Sequence, residues 1–268
     1  MERAVFERFR DLIYDRSGIL LRDGKEVLVA ARVGKRMRAL GLERHGDYYQ
    51  HVVNDQSGTE LTILLDAIST NTTSFYREKD HFDQMSAYLN TWLAEGRSRL
   101  RLWCAASSTG EEPYTIAITV KEAIGSRAVD ARILATDINT QVLEQAQRGE
   151  YEPEKVQPVP AELRQRYFTR AQRASGPVFV ASSELKQLLA FRRMNLAEAP
   201  YALKGPLDLI ICRNVMIYFD NTVRQRFLDE AFRLLRPNGI LMVGHAESLT
   251  GLVGGFKPVR PSVYIKPG

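Results

Sequence analysis

The chain has 268 residues, 44% of them hydrophobic and 26% charged, and 37 Lys+Arg against 32 Asp+Glu leave a formal charge of +5. These proportions exclude a disordered chain, a collagen-like fibre and a polytopic membrane protein, and the length suits one large domain or two unequal ones. The mild positive balance points to an anionic partner without choosing among nucleic acid, lipid and acidic protein.

The first ninety or so residues carry helical periodicity. Val5, Phe6, Phe9, Leu12 and Ile13 share one face, as do Val29, Val33, Met37 and Leu40, and Gly18 and Gly41 are the expected stops. Tyr48, Tyr49, Val52 and Val53 predict a third helix, Leu61, Leu64, Leu65 and Ile68 a fourth, and residues 81–93 another. The pattern changes near Arg99. Residues 100–106 read as a strand running into the small-residue loop 107–110, followed by a helix over 111–123 with Pro113 in its first turn. A strand over 131–136 ends at Asp137, and a helix follows over 140–148. Further on come an apolar strand at 207–212, a helix at 222–235 and a strand at 240–243. Apolar strands alternating with helices predict a parallel, doubly wound α/β sheet. The alternation lapses over 151–193, where prolines and short strand-like pieces at 178–181 and 188–191 predict a small inserted β-subdomain. Cys104 and Cys212 lie far apart in apolar surroundings, so buried free thiols are expected, with no disulfide and no metal site. No segment reaches the ~20 apolar residues of a membrane span, and the N-terminus does not start a signal peptide. A cytoplasmic protein is expected.

Doubly wound sheets bind ligands beyond the carboxyl ends of their strands, which here means residues 105–112, Asp137 and residues 213–218. The first loop holds one glycine, Gly110, and is followed by Glu111 and Glu112. Two carboxylates at that turn disfavour a pyrophosphate and favour an ammonium or sulfonium, which shifts the expectation from a dinucleotide to S-adenosylmethionine. Asp137, about twenty-odd residues after that glycine, stands where such sheets hold ribose hydroxyls. Arg213, Asn214 and Tyr218 follow the 207–212 strand directly, and the hydrogen-bonding run Thr70 to Glu78 lies at the junction of the helical and sheet parts.

Together these pieces resemble the CheR-type chemotaxis receptor methyltransferase family. The resemblance rests on Asn71-Thr72-Thr73-Ser74-Phe75-Tyr76-Arg77-Glu78, on Trp103-Cys104-Ala105-Ala106-Ser107-Ser108-Thr109-Gly110-Glu111-Glu112-Pro113-Tyr114 and on Ala135-Thr136-Asp137-Ile138. Cys212-Arg213-Asn214-Val215-Met216-Ile217-Tyr218-Phe219-Asp220, Leu235-Arg236-Pro237-Asn238-Gly239 and Gly244-His245-Ala246-Glu247-Ser248 complete it, in order along nearly the whole chain. The resemblance implies an N-terminal all-helical recognition domain over 1–75 and a class I S-adenosylmethionine-dependent methyltransferase (Rossmann-like) domain over 76–268 that carries the inserted β-subdomain. It implies methylation of glutamate side chains on chemoreceptor cytoplasmic helices, with S-adenosylhomocysteine as product. It places Asn71, Thr73, Arg77, Glu111, Asp137, Asn195, Leu196, Arg213 and Asn214 at the cofactor, with Glu112 able to exchange roles with Glu111. Arg77 and Tyr218 then stand at the reacting centre. The basic run Arg32, Lys35, Arg36 and Arg38 is the candidate surface for an acidic receptor helix. A monomer that does not enter the membrane is expected. The competing readings are a nucleic-acid amino-group methyltransferase, which lacks support from an aromatic-interleaved basic patch, and a non-catalytic cofactor-sensing scaffold, which would not require both Arg77 and Tyr218.

Overall fold

The computed structural model describes every residue except Thr250 and Val253. Four helices come first: α1 (Arg3–Ser17), α2 (Glu26–Leu40), α3 (His45–Asn54) and α4 (Thr59–Ile68). They form where expected because Phe6, Phe9 and Ile13 of α1, and Val29, Val33 and Met37 of α2, repeat at three- and four-residue spacing and bury one common stripe. Gly18 and Gly41 end α1 and α2 in the left-handed conformation, with φ of 70° and 69°. The next helix, α5 (Asp80–Ala94), packs instead against the sheet, as does Phe75 in the loop before it. The boundary drawn at 75/76 therefore falls inside the connecting loop.

The α/β part continues with β1 (Arg99–Cys104), α6 (Glu111–Ile124), β2 (Asp130–Asp137) and α7 (Thr140–Arg148). Then follow β3 (Glu150–Tyr151), α8 (Ala161–Tyr167), β4 (Phe168–Arg173), β5 (Gly176–Ala181), α9 (Ser183–Lys186) and β6 (Leu189–Arg193). The chain closes with β7 (Leu207–Cys212), a 3₁₀ turn (Met216–Tyr218), α10 (Asn221–Leu234), β8 (Leu235–Val243), β9 (Lys257–Arg260) and β10 (Val263–Ile265). Among the described residues the main sheet has seven strands in the order β6-β2-β1-β7-β8-β10-β9, with β10 antiparallel to both neighbours and the rest running one way. The order reverses between β1 and β7, which opens a crevice at their carboxyl ends. Cys104 and Cys212 are buried free thiols on these two strands.

The second sheet is antiparallel, in the order β3-β5-β4. The expected insertion over 151–193 needs correction at its far end. The piece expected at 188–191 belongs to the main sheet, where β6 pairs in parallel with β2 from Ile133↔Leu189 to Asp137↔Arg193. Its alternation is blurred because β6 is an edge strand with Arg192 and Arg193 exposed. The β9–β10 hairpin lies beyond any element read from the sequence.

The helical layer is fastened to the sheet by a polar seam. Asp66, at the end of α4, accepts hydrogen bonds from the Thr140 N–H (2.9 Å) and hydroxyl (2.6 Å), and Asn139 Nδ2 donates to the Asp66 carbonyl (3.0 Å). Asn139 also caps α7 through the Val142 N–H. Tyr14 donates to Asp220, the cap of α10, at 2.5 Å. Because the seam joins the first turns of α7 and α10, it sets the helical layer over the crevice.

Candidate active site

A cavity of about 470 Å³ lies at that crevice, floored by the ends of β1, β2 and β7 and roofed by the α1–α2 connection, Arg32 and the loop after α4. Asn71, Thr73, Arg77, Asp137, Asn195, Leu196, Arg213, Asn214 and Tyr218 all line it, so nine of the side chains singled out in sequence meet in one space.

Asp137 ends β2 with one carboxylate oxygen accepting the Ser108 N–H (2.8 Å) and the other the Asn139 N–H (3.0 Å). Burial raises its pKa while these backbone donors pull the other way, and each oxygen keeps lone-pair capacity for a ligand hydroxyl. The loop beneath it is shaped by Gly110 at φ 99°, where a Cβ would sit 2.6 Å from the Tyr151 hydroxyl and 2.9 Å from Ala146 Cβ. Only glycine fits there.

The two glutamates that open α6 have different roles. Successive helical side chains diverge by ~100°, so both cannot face the crevice. Glu111 turns away, accepting from Thr109 (2.5 Å) and pairing with Lys155 Nζ (3.2 Å) of the inserted layer, and it does not line the cavity. Glu112 does line it, accepting from Arg213 Nη1 (2.6 Å) and the Cys104 thiol (3.2 Å). Of the two glutamates, then, it is Glu112 and not Glu111 that faces the cavity.

Arg213 is 5% exposed. Besides Glu112 it holds Glu78 Oε2 (3.1 Å from Nη2) and donates to the Arg77 carbonyl. Burial opposes its charge, but the two carboxylates raise its pKa above the ordinary guanidinium value. Burial likewise pushes Glu78 up, and Arg213 and Asn214 together bring it below the usual carboxylate range. The residues after Arg213 hang on Glu247, whose carboxylate accepts the N–H groups of Gly244 (2.7 Å), Asn214 (2.8 Å) and Met216 (2.7 Å). Asn214 sits at φ 59°, and a Cβ on Gly244 would come within 2.7 Å of its Nδ2. This presents the Tyr218 side chain to the cavity, where its hydroxyl finds no hydrogen-bond partner among the described residues. The roles of Glu78 and Glu247 are not legible in the sequence, because their partners are distant along the chain and no local spacing reveals them.

Asn195 follows β6 into the cavity wall, but its amide is engaged by the Arg16 carbonyl (2.8 Å), Glu198 (2.9 Å) and the Ala197 N–H (3.1 Å). The four basic residues of α2 separate. Arg32 donates to the Ile68 and Ser69 carbonyls and Thr70, and Arg36 makes a two-pronged pair with buried Glu60 at 2.9 and 2.6 Å. Of the four, only Lys35 and Arg38 are exposed and without a hydrogen-bond or ion-pair partner among the described residues, while Arg32 and Arg36 are engaged within the helical layer.

The sheet order, the acidic residue ending β2 and the glutamate facing the crevice define a class I S-adenosylmethionine-dependent methyltransferase. The family description "CheR methyltransferase, all-alpha domain" matches residues 4–69, and "CheR methyltransferase, SAM binding domain" matches residues 71–265. The chain belongs to this family, and its cofactor is S-adenosylmethionine. It is 39% identical over 262 residues to chemotaxis protein methyltransferase 2 of Pseudomonas aeruginosa, covering 98% of this chain and 92% of that one. It is 39% identical to the chemotaxis protein methyltransferase of Salmonella typhimurium (97% and 89%) and 37% to that of Escherichia coli (97% and 90%). Among the described residues no helix is long and apolar enough to cross a membrane.

The divergence of the two glutamates is testable by calorimetric titration with S-adenosylmethionine. Glu112→Gln removes a charge from buried Arg213 and is expected to weaken cofactor binding roughly tenfold or more, whereas Glu111→Gln changes it less than about twofold. Equal losses would contradict the assignment.

Proposed function

We propose that this protein transfers the methyl group of S-adenosylmethionine to glutamate side chains on the cytoplasmic helices of chemoreceptors, forming methyl esters. The observation that carries this reading is the convergence of Arg77 and Tyr218 on the same cavity as Asp137 and Glu112. The relatives' names, chemotaxis protein methyltransferase, support the receptor as substrate. When bound, the cofactor supplies an electrophilic methyl on a sulfonium, and its amino acid part needs an anionic partner of the kind Glu112 offers. Asp137 is suited to the ribose hydroxyls, and Ile138, Met194 and Leu196 offer an apolar wall to adenine. Asn71 and Thr73 line the side between these ends, and the engaged amide of Asn195 leaves its main chain for such contacts.

The acceptor needs no base. A glutamate carboxylate, with an ordinary pKa near ~4.3, is ionised at neutral pH. One of its oxygens bonds to the methyl carbon as the carbon–sulfur bond breaks, the electron pair stays on sulfur, and no proton moves. Catalysis is then alignment in a space that excludes water, where carboxylate and sulfonium neutralise each other. The free hydroxyl of Tyr218 is suited to hold the incoming carboxylate. The Arg77 guanidinium, braced on the Thr72 carbonyl at 2.9 Å, supplies charge beside it. Leu28 and Arg32 of α2 line the cavity, which supports exposed Lys35 and Arg38 of the same helix as the surface met by an acidic helix, with Arg32 and Arg36 holding α2 in place.

Methyl transfer from labelled cofactor to chemoreceptor-rich membranes, followed by base, is expected to release labelled methanol. Tyr218→Phe lowers that turnover while cofactor affinity stays within about twofold, since the lost hydroxyl serves alignment. Base-stable label, or equal losses of turnover and affinity, would contradict the reading. Separately, reversing charge at Lys35 and Arg38 is expected to raise receptor KM roughly three- to tenfold with kcat unchanged, an effect of exposed charge on encounter. An unchanged KM would remove the surface from the account.

A further inference from the structure

Behind Arg213, outside the cavity, lies a cluster that methyl transfer does not call for. Glu78, His81 and His245 each offer one ligating atom, and these atoms lie within 4.8 Å of one another. We propose that they form a binding site for a single divalent transition-metal ion of the zinc type.

The strongest observation is His81. Its ring is 1% exposed and neither nitrogen has a hydrogen-bond partner among the described residues, although a neutral imidazole carries one donor and one acceptor. Leaving both unmet in the interior is costly, and a metal ion on one nitrogen relieves it. The spacing fits. His81 Nδ1 lies 3.3 Å from Glu78 Oε2, close to the ~3.3 Å edge between ligands in a tetrahedron with bonds of ~2.0–2.1 Å. The His245 ring tilts over that of His81 with centroids 4.6 Å apart, and its Nε2 is held by Asp80 Oδ2 at 3.2 Å. A carboxylate on one nitrogen of an imidazole orients the ring and leaves Nδ1 as the lone-pair nitrogen, the arrangement that supports metal-bound histidines. Arg213 is the opposing cation, but it is flanked by Glu78 and Glu112, and Asp80 stands at His245, so the carboxylates outnumber it and leave room for a further positive charge. Two nitrogens and one oxygen select zinc or cobalt over magnesium or calcium, with water as the fourth ligand.

Glu78 also holds Arg213 at 3.1 Å and Asn214 at 3.3 Å, two residues that line the cavity, so one carboxylate joins the metal site to the cofactor crevice. Occupancy by metal and by cofactor are therefore linked, each altering the other's affinity by the same factor.

Cobalt(II) titration of the chelator-treated full chain tests the site without reference to activity. One equivalent is expected to give the visible bands of tetrahedral cobalt, bleached by zinc. His245→Gln, at a partly exposed ring, and His81→Gln should each weaken binding about 10- to 100-fold. If His81→Gln does not fold, His245→Gln decides alone. Absence of the bands, undiminished binding in folded His245→Gln, or a thiolate-to-cobalt charge-transfer band placing the metal on a cysteine would each overturn the proposal.

Discussion

The site depends on a charge taken out of water. Arg213 is buried at the end of the central strand β7, and a lone guanidinium there would be prohibitively expensive. It is tolerated because Glu112 comes to it from the first turn of α6 and Glu78 from the loop before α5. Three segments far apart in sequence thereby meet at one point. Removing one partner from such a pair costs about 3–5 kcal/mol, which makes the cluster a constraint on geometry more than a source of stability.

The surrounding backbone follows from the same demand. Asn214, next to Arg213, takes a left-handed conformation, and its amide points into the Glu247 carboxylate together with those of Gly244 and Met216. A carboxylate that accepts three backbone N–H groups replaces the hydrogen bonds an irregular turn cannot make within itself. Tyr76 and Glu78 are also left-handed, at φ 55° and 53°, so both loops that close around Arg213 carry local strain at the place where the cavity forms. The polar seam at Asp66 and Asn139 then sets the helical layer over the opening.

Much of this was legible in the chain. Helical stripes such as Phe6, Phe9 and Ile13, and the apolar strand 207–212, report burial directly, because their period is the period of the structure they form. The strand-end rule groups residues 105–112, Asp137 and 213–218, and all three segments border the cavity. What the chain hid is what depends on direction and distance. Glu111 and Glu112 are adjacent letters, and only the helix's turn decides which faces the crevice. Arg36 reads as a surface charge until Glu60, twenty-four residues on, is found beneath it. Strand β6 is an edge strand with polar outer residues, so it resembles the insertion before it more than the sheet it joins. Glu78, Glu247 and His245 act through partners that no periodicity connects.

Arg213 and its two carboxylates hold the crevice in shape, Arg213 and Glu112 from its wall and Glu78 from outside it. Glu78 does not line the cavity, so its effect on the cofactor can only be transmitted. The direct measurement is the affinity of folded Glu78→Gln for S-adenosylmethionine in metal-free buffer. The account predicts a loss of roughly tenfold or more, in keeping with the removal of one partner from a buried pair. An affinity equal to that of the unaltered protein, with the fold intact, would contradict it.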